Sequence, residues 1–150
     1  MENPSIKITP LSNADYDFWL VLWQCYLTFY ETHLPMSTTD TTWRNLLNND
    51  VSVYGFGAWQ NDVLVGFTHV VLHPNTWDTT DCCYLEDLYV NENMRGQGVG
   101  RALIQHVYDF ARQKNCNRVY WVTQESNTDA RTLYDRLADL TDMVQYRKNL

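Results

Sequence analysis

The sequence lacks any apolar run long enough to cross a bilayer, which excludes a membrane-spanning helix. Residues 1–11, MENPSIKITPL, carry acid early and have none of the apolar character of a secretory leader. Basic charge is also short: 11 Lys and Arg face 18 Asp and Glu, a net charge of −7. That balance argues against nonspecific nucleic-acid binding, which needs a basic face, and suits a cationic partner. The four cysteines, Cys25, Cys82, Cys83 and Cys116, show no C-x-x-C spacing. Neither a disulfide framework nor a zinc site is expected, and buried free thiols are. His69 and His73 lie four apart on a strand pattern, so they form no helical metal pair. The histidines read as structural or surface residues, and no metal is expected. No repeat, low-complexity tract or linker divides the 150 residues, which predicts one domain over 1–150. The expectation is a soluble, cytoplasmic protein that binds neither nucleic acid nor membrane.

Aromatics, by contrast, are plentiful, with 6 Trp and 10 Tyr. Some of these rings are expected to line a pocket or interface. Ser5 to Leu11 alternates as a first strand. A first helix follows, capped by Ser12 or Asn13, with Ala14, Phe18, Val21, Leu22, Cys25 and Phe29 at helical spacing and Pro35 as its stop. TTDTTWRNLLNND reads as a second helix capped by Thr39 or Asp40. VSVYGFGAWQ and VLVGFTHVVL read as strands joined by an Asn61-Asp62 turn. CCYLEDLYV is a fourth strand. A helix from the glycine stretch to about Asn115 buries Val99, Leu103, Val107, Phe110 and Ala111. RVYWVT, ARTLYDRLADL and MVQYRK then predict a strand, a helix and a closing strand. The crossover helix makes the fourth and fifth strands parallel and the hairpins antiparallel. The fold class is therefore mixed α/β (α+β): a mostly antiparallel sheet with one parallel pair and helices on both faces.

Of only 6 glycines, three alternate at Gly96, Gly98 and Gly100 in MRGQGVGRAL. A glycine-rich turn opening a helix is an anion cradle, because the first helical N–H groups lack partners and carry the positive end of the helix dipole. Arg95 and Arg101 add full charge suited to phosphate. A dinucleotide fingerprint needs G-x-G-x-x-G and a P-loop needs a following Lys, so both fail on spacing. A merely tight strand–helix turn is the remaining alternative.

Arg95-Gly96-Gln97-Gly98-Val99-Gly100 resembles the R/Q-x-x-G-x-G/A motif of the GNAT superfamily of N-acetyltransferases. YLEDLYVNENMRGQGVGRALI is similar to that family's fourth strand, loop and third helix, and VYWVTQESNTDARTLYDRLA to its next strand and helix. The resemblance runs from about Ile6 to Arg147. It leans toward the diamine and polyamine acetyltransferases and the histone-and-polyamine acetyltransferases, through LED before the strand end and LWQCYLTFYE in the first helix. It implies acetyl-CoA as cosubstrate and no metal. Arg95, Gly96, Gln97, Gly98, Val99, Gly100 and Arg101 would bind the pyrophosphate, the backbone of Leu88, Tyr89 and Val90 the pantetheine arm, and Asn127 the cofactor as well. An Asx turn or helix cap is the plainer role for Asn127.

Acetyl transfer to an amine needs a base, because alkylammonium groups have pKa values near 10, and an acid for the departing thiolate. By the resemblance, Glu86 contacts the amine and serves as base, directly or through water, and Tyr134 is the general acid. A structural hydrogen bond for Glu86 and core packing for Tyr134 are the plainer readings. Glu86 and Asp87, neighbours on a strand, are expected to point to opposite faces. Tyr26, Tyr30, Glu31, Asp87 and Trp77, with Asp78 beside it, are the candidate amine-binding residues, since aromatic faces and carboxylates suit an alkylammonium ion. The leading expectation is acetylation of a small diamine or polyamine, ahead of amino acids, aminoglycosides and protein lysines. A non-catalytic acetyl-CoA-binding module is the rival. The family's last helix usually ends in a Gly-aromatic pair, and ADLTDM stands in its place. With a short C-terminal segment, this predicts a sheet completed by a second subunit, and so a homodimer.

Overall fold

Asn61 and Asp62 both adopt left-handed backbone, φ 50° and 62°. This is the type I′ geometry whose twist matches a two-residue hairpin, and it joins β2 (Val53–Gln60) to β3 (Val63–His73). The computed structural model describes residues 5–150; residues 1–4, the start of the polar opening stretch, lie outside them. Around the hairpin, β1 (Lys7–Pro10) and β4 (Cys82–Val90) add antiparallel, and β5 (Arg118–Tyr120) adds parallel to β4. The sheet order is β1-β2-β3-β4-β5. The mixed sheet with its parallel β4–β5 pair agrees with the expected fold class.

Helices cover both faces. On one, α1 (Tyr16–Phe29) and α2 (Met36–Leu47) bury Trp19, Leu22, Trp23, Trp43 and Leu46 against Leu11, Leu64 and Phe67. On the other, α3 (Val99–Gln113) lays Ile104, Val107 and Ala111 on Phe56, Val70, Cys83 and Leu85, and Val99 and Leu103 on Ala58 and Val65. Leu133, Tyr134 and Leu137 of α4 (Thr128–Leu137) pack at the edge of that second cluster. Val99, Leu103, Val107 and Ala111 are buried as their spacing predicts, with Phe110 half-buried.

Four expectations need correction. In α1 the predicted stripe faces outward: Phe18, Cys25 and Phe29 are exposed and Val21 is 61 % exposed, while Trp19 and Trp23 take the core beside Leu22. The helix is apolar on more than one face, so periodicity alone admits two stripes, and the larger rings bury more area. Its end is not Pro35. Thr32 N–H donates to the Leu27 carbonyl (2.8 Å) and Glu31 takes φ 52°, a left-handed helix cap. Pro35 instead opens α2, a turn before the expected cap. Thr39 is therefore buried inside that helix, accepting from Trp23 Nε1 at 3.1 Å. Finally, MVQYRK forms no strand, because no strand among the described residues pairs with it, and residues 139–150 are exposed.

Candidate active site

The site begins at an irregularity between β3 and β4. His69 pairs with Asp87, but Val70 pairs with Leu85, so Glu86 is an extra residue on β4, a β-bulge. The expectation of opposite faces for Glu86 and Asp87 fails for this reason. Leu85 and Leu88 both face the α3 side, and the two acids between them share the α1 side. There Asp87 meets Tyr26, and Glu86 is close enough to Tyr26 and His69 to interact electrostatically. Lost hydration, then the neighbouring Asp87 charge, raises the Glu86 carboxyl above the usual carboxylate range. The Arg147 cation opposes the rise. A carboxyl raised in this way holds a proton more readily than a free one, the direction a proton-accepting group needs.

Asp87 is held from two sides. Tyr26 donates its hydroxyl to Oδ1 at 2.6 Å, and His69 Nδ1 lies 2.8 Å from Oδ2. His69 Nε2 in turn accepts from Trp19 Nε1 at 3.0 Å. Sequence reasoning missed His69. The available signal was one imidazole in the middle of an apolar strand; its position across from Asp87 depends on the bulge.

Tyr26 also makes ring contacts with Tyr30 (centroids 5.0 Å) and Tyr89 (6.2 Å). Burial, then Asp87, pushes the Tyr26 hydroxyl far above its ordinary value, so it stays protonated. Tyr134 enters from α4, its ring edge-on to Trp121 at 5.3 Å. Burial, and then Tyr30, pushes its phenol up to about 12. Tyr134 is thus within electrostatic range of Tyr30, while its ring packs on the α3 side at the edge of the cluster of Phe56, Val70 and Leu85. Of the sequence candidates, Tyr26, Tyr30, Glu86 and Asp87 come together, and Tyr134 lies within electrostatic range of Tyr30.

The glycine loop lies at the far end of β4. Gly96 (φ 75°) and Gly98 (φ 84°) are left-handed, and a Cβ on either would meet nothing within 4 Å. Backbone conformation therefore requires these glycines, and the space before them is open to a ligand. Gly98 is the N-cap of α3, so the first-turn amides of Val99, Gly100 and Arg101 lie beside that space. Gly100 differs: its Cβ would sit 3.3 Å from Leu133 Cδ2, so it serves the contact between α3 and α4. Gln97 and Arg101 are exposed. The Arg95 guanidinium lies over Phe29 (5.4 Å) and Tyr89 (5.6 Å), and Nε donates to the Val90 carbonyl at 3.2 Å. β5 pairs with β4 only over Cys82–Tyr84, so Leu88, Tyr89 and Val90 have no strand on that side. Such an edge offers backbone groups to an extended ligand.

Other candidates sit apart. Asn127 is the N-cap of α4 through its backbone, with Nδ2 3.4 Å from Thr123 Oγ1. Glu31 is an exposed helix-end residue. Trp77 is 93 % exposed, with its N–H on Asn75 Oδ1. Asp78 accepts from Thr80 N–H and hydroxyl, which lower its carboxyl. Among the described residues no group of three or more His, Cys, Asp or Glu is arranged to hold a metal ion.

The family model described as acetyltransferase (GNAT) family matches residues 16–138. The D-amino-acid N-acetyltransferase HPA3 of Saccharomyces cerevisiae is 34% identical over 151 residues, covering 99% of this chain and 94% of that protein. The thialysine N-epsilon-acetyltransferase of Bos taurus is 34% identical over 88 residues, 57% of this chain and 51% of that protein. Among solved structures, an aminoglycoside N-acetyltransferase in complex with CoA superposes with a TM-score of 0.83. It has 20% identity and covers 99% of this chain and 98% of that one, a likeness of fold.

Proposed function

From the premise that the chain belongs to the acetyltransferase (GNAT) family and is an N-acetyltransferase, we propose that it moves acetyl from acetyl-CoA to the primary amine of a small cation, a diamine or polyamine first. The observation that carries this reading is the pair Glu86 and Asp87, turned by the bulge onto one face among tyrosines. Two carboxylates and aromatic faces attract an alkylammonium group and orient its nitrogen. Acetyl-CoA supplies the acetyl group as a thioester. The open space before Gly96 and Gly98 and the unpaired edge of β4 fit its pyrophosphate and pantetheine arm. Asn127, Arg95, Gln97 and Arg101 complete that side.

In this mechanism Glu86 removes a proton from the bound ammonium, directly or through water, and Asp87 and Tyr26 position the amine. Tyr134, protonated across the physiological range because its phenol titrates near 12, donates its proton to the leaving sulfur. Tyr30 borders both partners. We further propose a homodimer completed through the exposed C-terminal segment. A cytoplasmic location accords with four free cysteines.

An amino-acid acceptor is the second reading. It is favoured by the relative that acts on D-amino acids, and by Arg95 and Arg147 near the cluster as cations for a substrate carboxylate. A thiol-release assay with acetyl-CoA against polyamines, D- and L-amino acids, thialysine, aminoglycosides and basic peptides tests both. Diamines or polyamines should give the highest kcat/KM, and Tyr134→Phe should lower turnover by about 10² with acetyl-CoA binding unchanged. Preference for D-amino acids would replace the acceptor assignment. No amine-dependent release would remove it, and an undiminished Tyr134→Phe would remove the acid.

A further inference from the structure

The core beneath the site contains a polar chain whose inner members, Trp19 and His69, the proposed mechanism does not use. It runs Trp19 Nε1, His69 Nε2 across the ring to Nδ1, Asp87 Oδ2 across the carboxylate to Oδ1, and the Tyr26 hydroxyl. His69 is 2 % exposed and Asp87 14 %. An indole nitrogen only donates, so the Trp19 bond requires a lone pair on His69 Nε2. The proton of the neutral ring then sits on Nδ1 and points at Asp87. The Tyr26 hydroxyl supplies a second donor, to the other carboxyl oxygen of Asp87. Trp19 is itself fixed by stacking on Trp23 (5.6 Å) and by Trp43 (4.8 Å). The ring of His69 lies stacked on Phe67 at 4.8 Å. The orientation of Asp87 is therefore set from the core.

We propose that His69 is a positioning residue for the acceptor amine: through its Nδ1–H it fixes Asp87, and through Asp87 the Tyr26 hydroxyl, in the geometry that receives the substrate cation. This rests on the reading of Glu86, Asp87 and Tyr26 as the acceptor side. Glu86, one residue away, accepts no such donor among the described residues and is left to exchange protons. The bulge aligns His69 with Asp87 while setting Glu86 outside the ladder, and so divides the two carboxylates between holding and proton transfer.

Two amide substitutions separate the two ring nitrogens. His69→Asn keeps an N–H where Nδ1 stands and loses the partner of Trp19. His69→Gln keeps a polar group where Nε2 stands and loses the donor to Asp87. With the preferred amine, His69→Gln should lower kcat/KM for the amine tenfold or more. His69→Asn should stay within threefold of wild type, and KM for acetyl-CoA should stay within twofold in both. Equal losses in the two variants, or amine and acetyl-CoA constants moving together, would overturn the assignment in favour of a packing role. So would the absence of any loss. Long-range proton–nitrogen NMR of the wild type should show His69 protonated at Nδ1 and bare at Nε2; the opposite tautomer overturns it whatever the variants do. A wild type that acetylates no amine removes the acceptor reading and this one together. An active wild type with a failed tautomer or variant result removes this one alone.

Discussion

Glu86 is disfavoured as a carboxylate by lost hydration and then by Asp87 beside it, so the folded chain holds its proton more tightly than the unfolded chain does. Below the unfolded value, about 4.3, both states are protonated and the group costs nothing. As pH rises from there through the raised folded value, the unfolded state gives up the proton first and folded stability falls. Glu86→Gln removes that loss. The variant's Tm relative to wild type should therefore rise between pH 4 and pH 7, while its turnover collapses if Glu86 is the base. A Tm difference independent of pH would show that Glu86 is not penalised. The residue types of this site were legible in LED and in Tyr134. That both acids face one way was not, because a bulge depends on the pairing of β3 with β4, and alternation along a single strand carries no trace of it.

At the scale of the element, the loop from Arg95 to Gly100 combines two kinds of glycine. Gly98 is left-handed in open space, so Gly98→Ala should cost about 1 kcal/mol through backbone strain alone. Gly100 is the second residue of α3, and an added methyl meets the end of the Leu133 side chain at 3.3 Å and Val90 Cγ2 at an ordinary 3.8 Å. Gly100→Ala should be neutral or slightly stabilising, since alanine is favoured over glycine in a helix by about 1 kcal/mol. Urea denaturation of the two variants distinguishes them, and equal losses would refute the division. Element type and order followed from periodicity and turn chemistry, with the Asn61-Asp62 hairpin and the buried face of α3 as the clearest cases. The face of α1 did not follow. A sequence rich in Phe, Val and Leu beside Trp offers two stripes, and only packing against Phe67 and His69 selects the tryptophans.

At the scale of the whole molecule, the C-terminal segment is a stretch that no strand among the described residues pairs with. Leu140, Met143, Val144 and Tyr146 are exposed, Tyr146 at 94 %, while β4 beyond Tyr84 is paired with β3 alone among the described residues, its β5 side being open. Extended apolar chain and an open sheet edge are complementary, which supports pairing between two copies. Light scattering at micromolar concentration should report a dimer, and removal of residues 141–150 should leave a folded monomer. A wild-type monomer would end the homodimer proposal.

The sequence by itself determined the order of strands and helices as far as α4, the cradle at Gly96 and Gly98, and the inventory of acids and tyrosines. These depend on local periodicity, backbone freedom and residue chemistry, which neighbours in the chain decide. The tertiary structure decided which face of α1 is buried, that Glu86 and Asp87 share a side, and that His69 stands behind them. Those outcomes depend on register and packing between segments about 20 to 50 residues apart, where competing arrangements differ only once side chains meet.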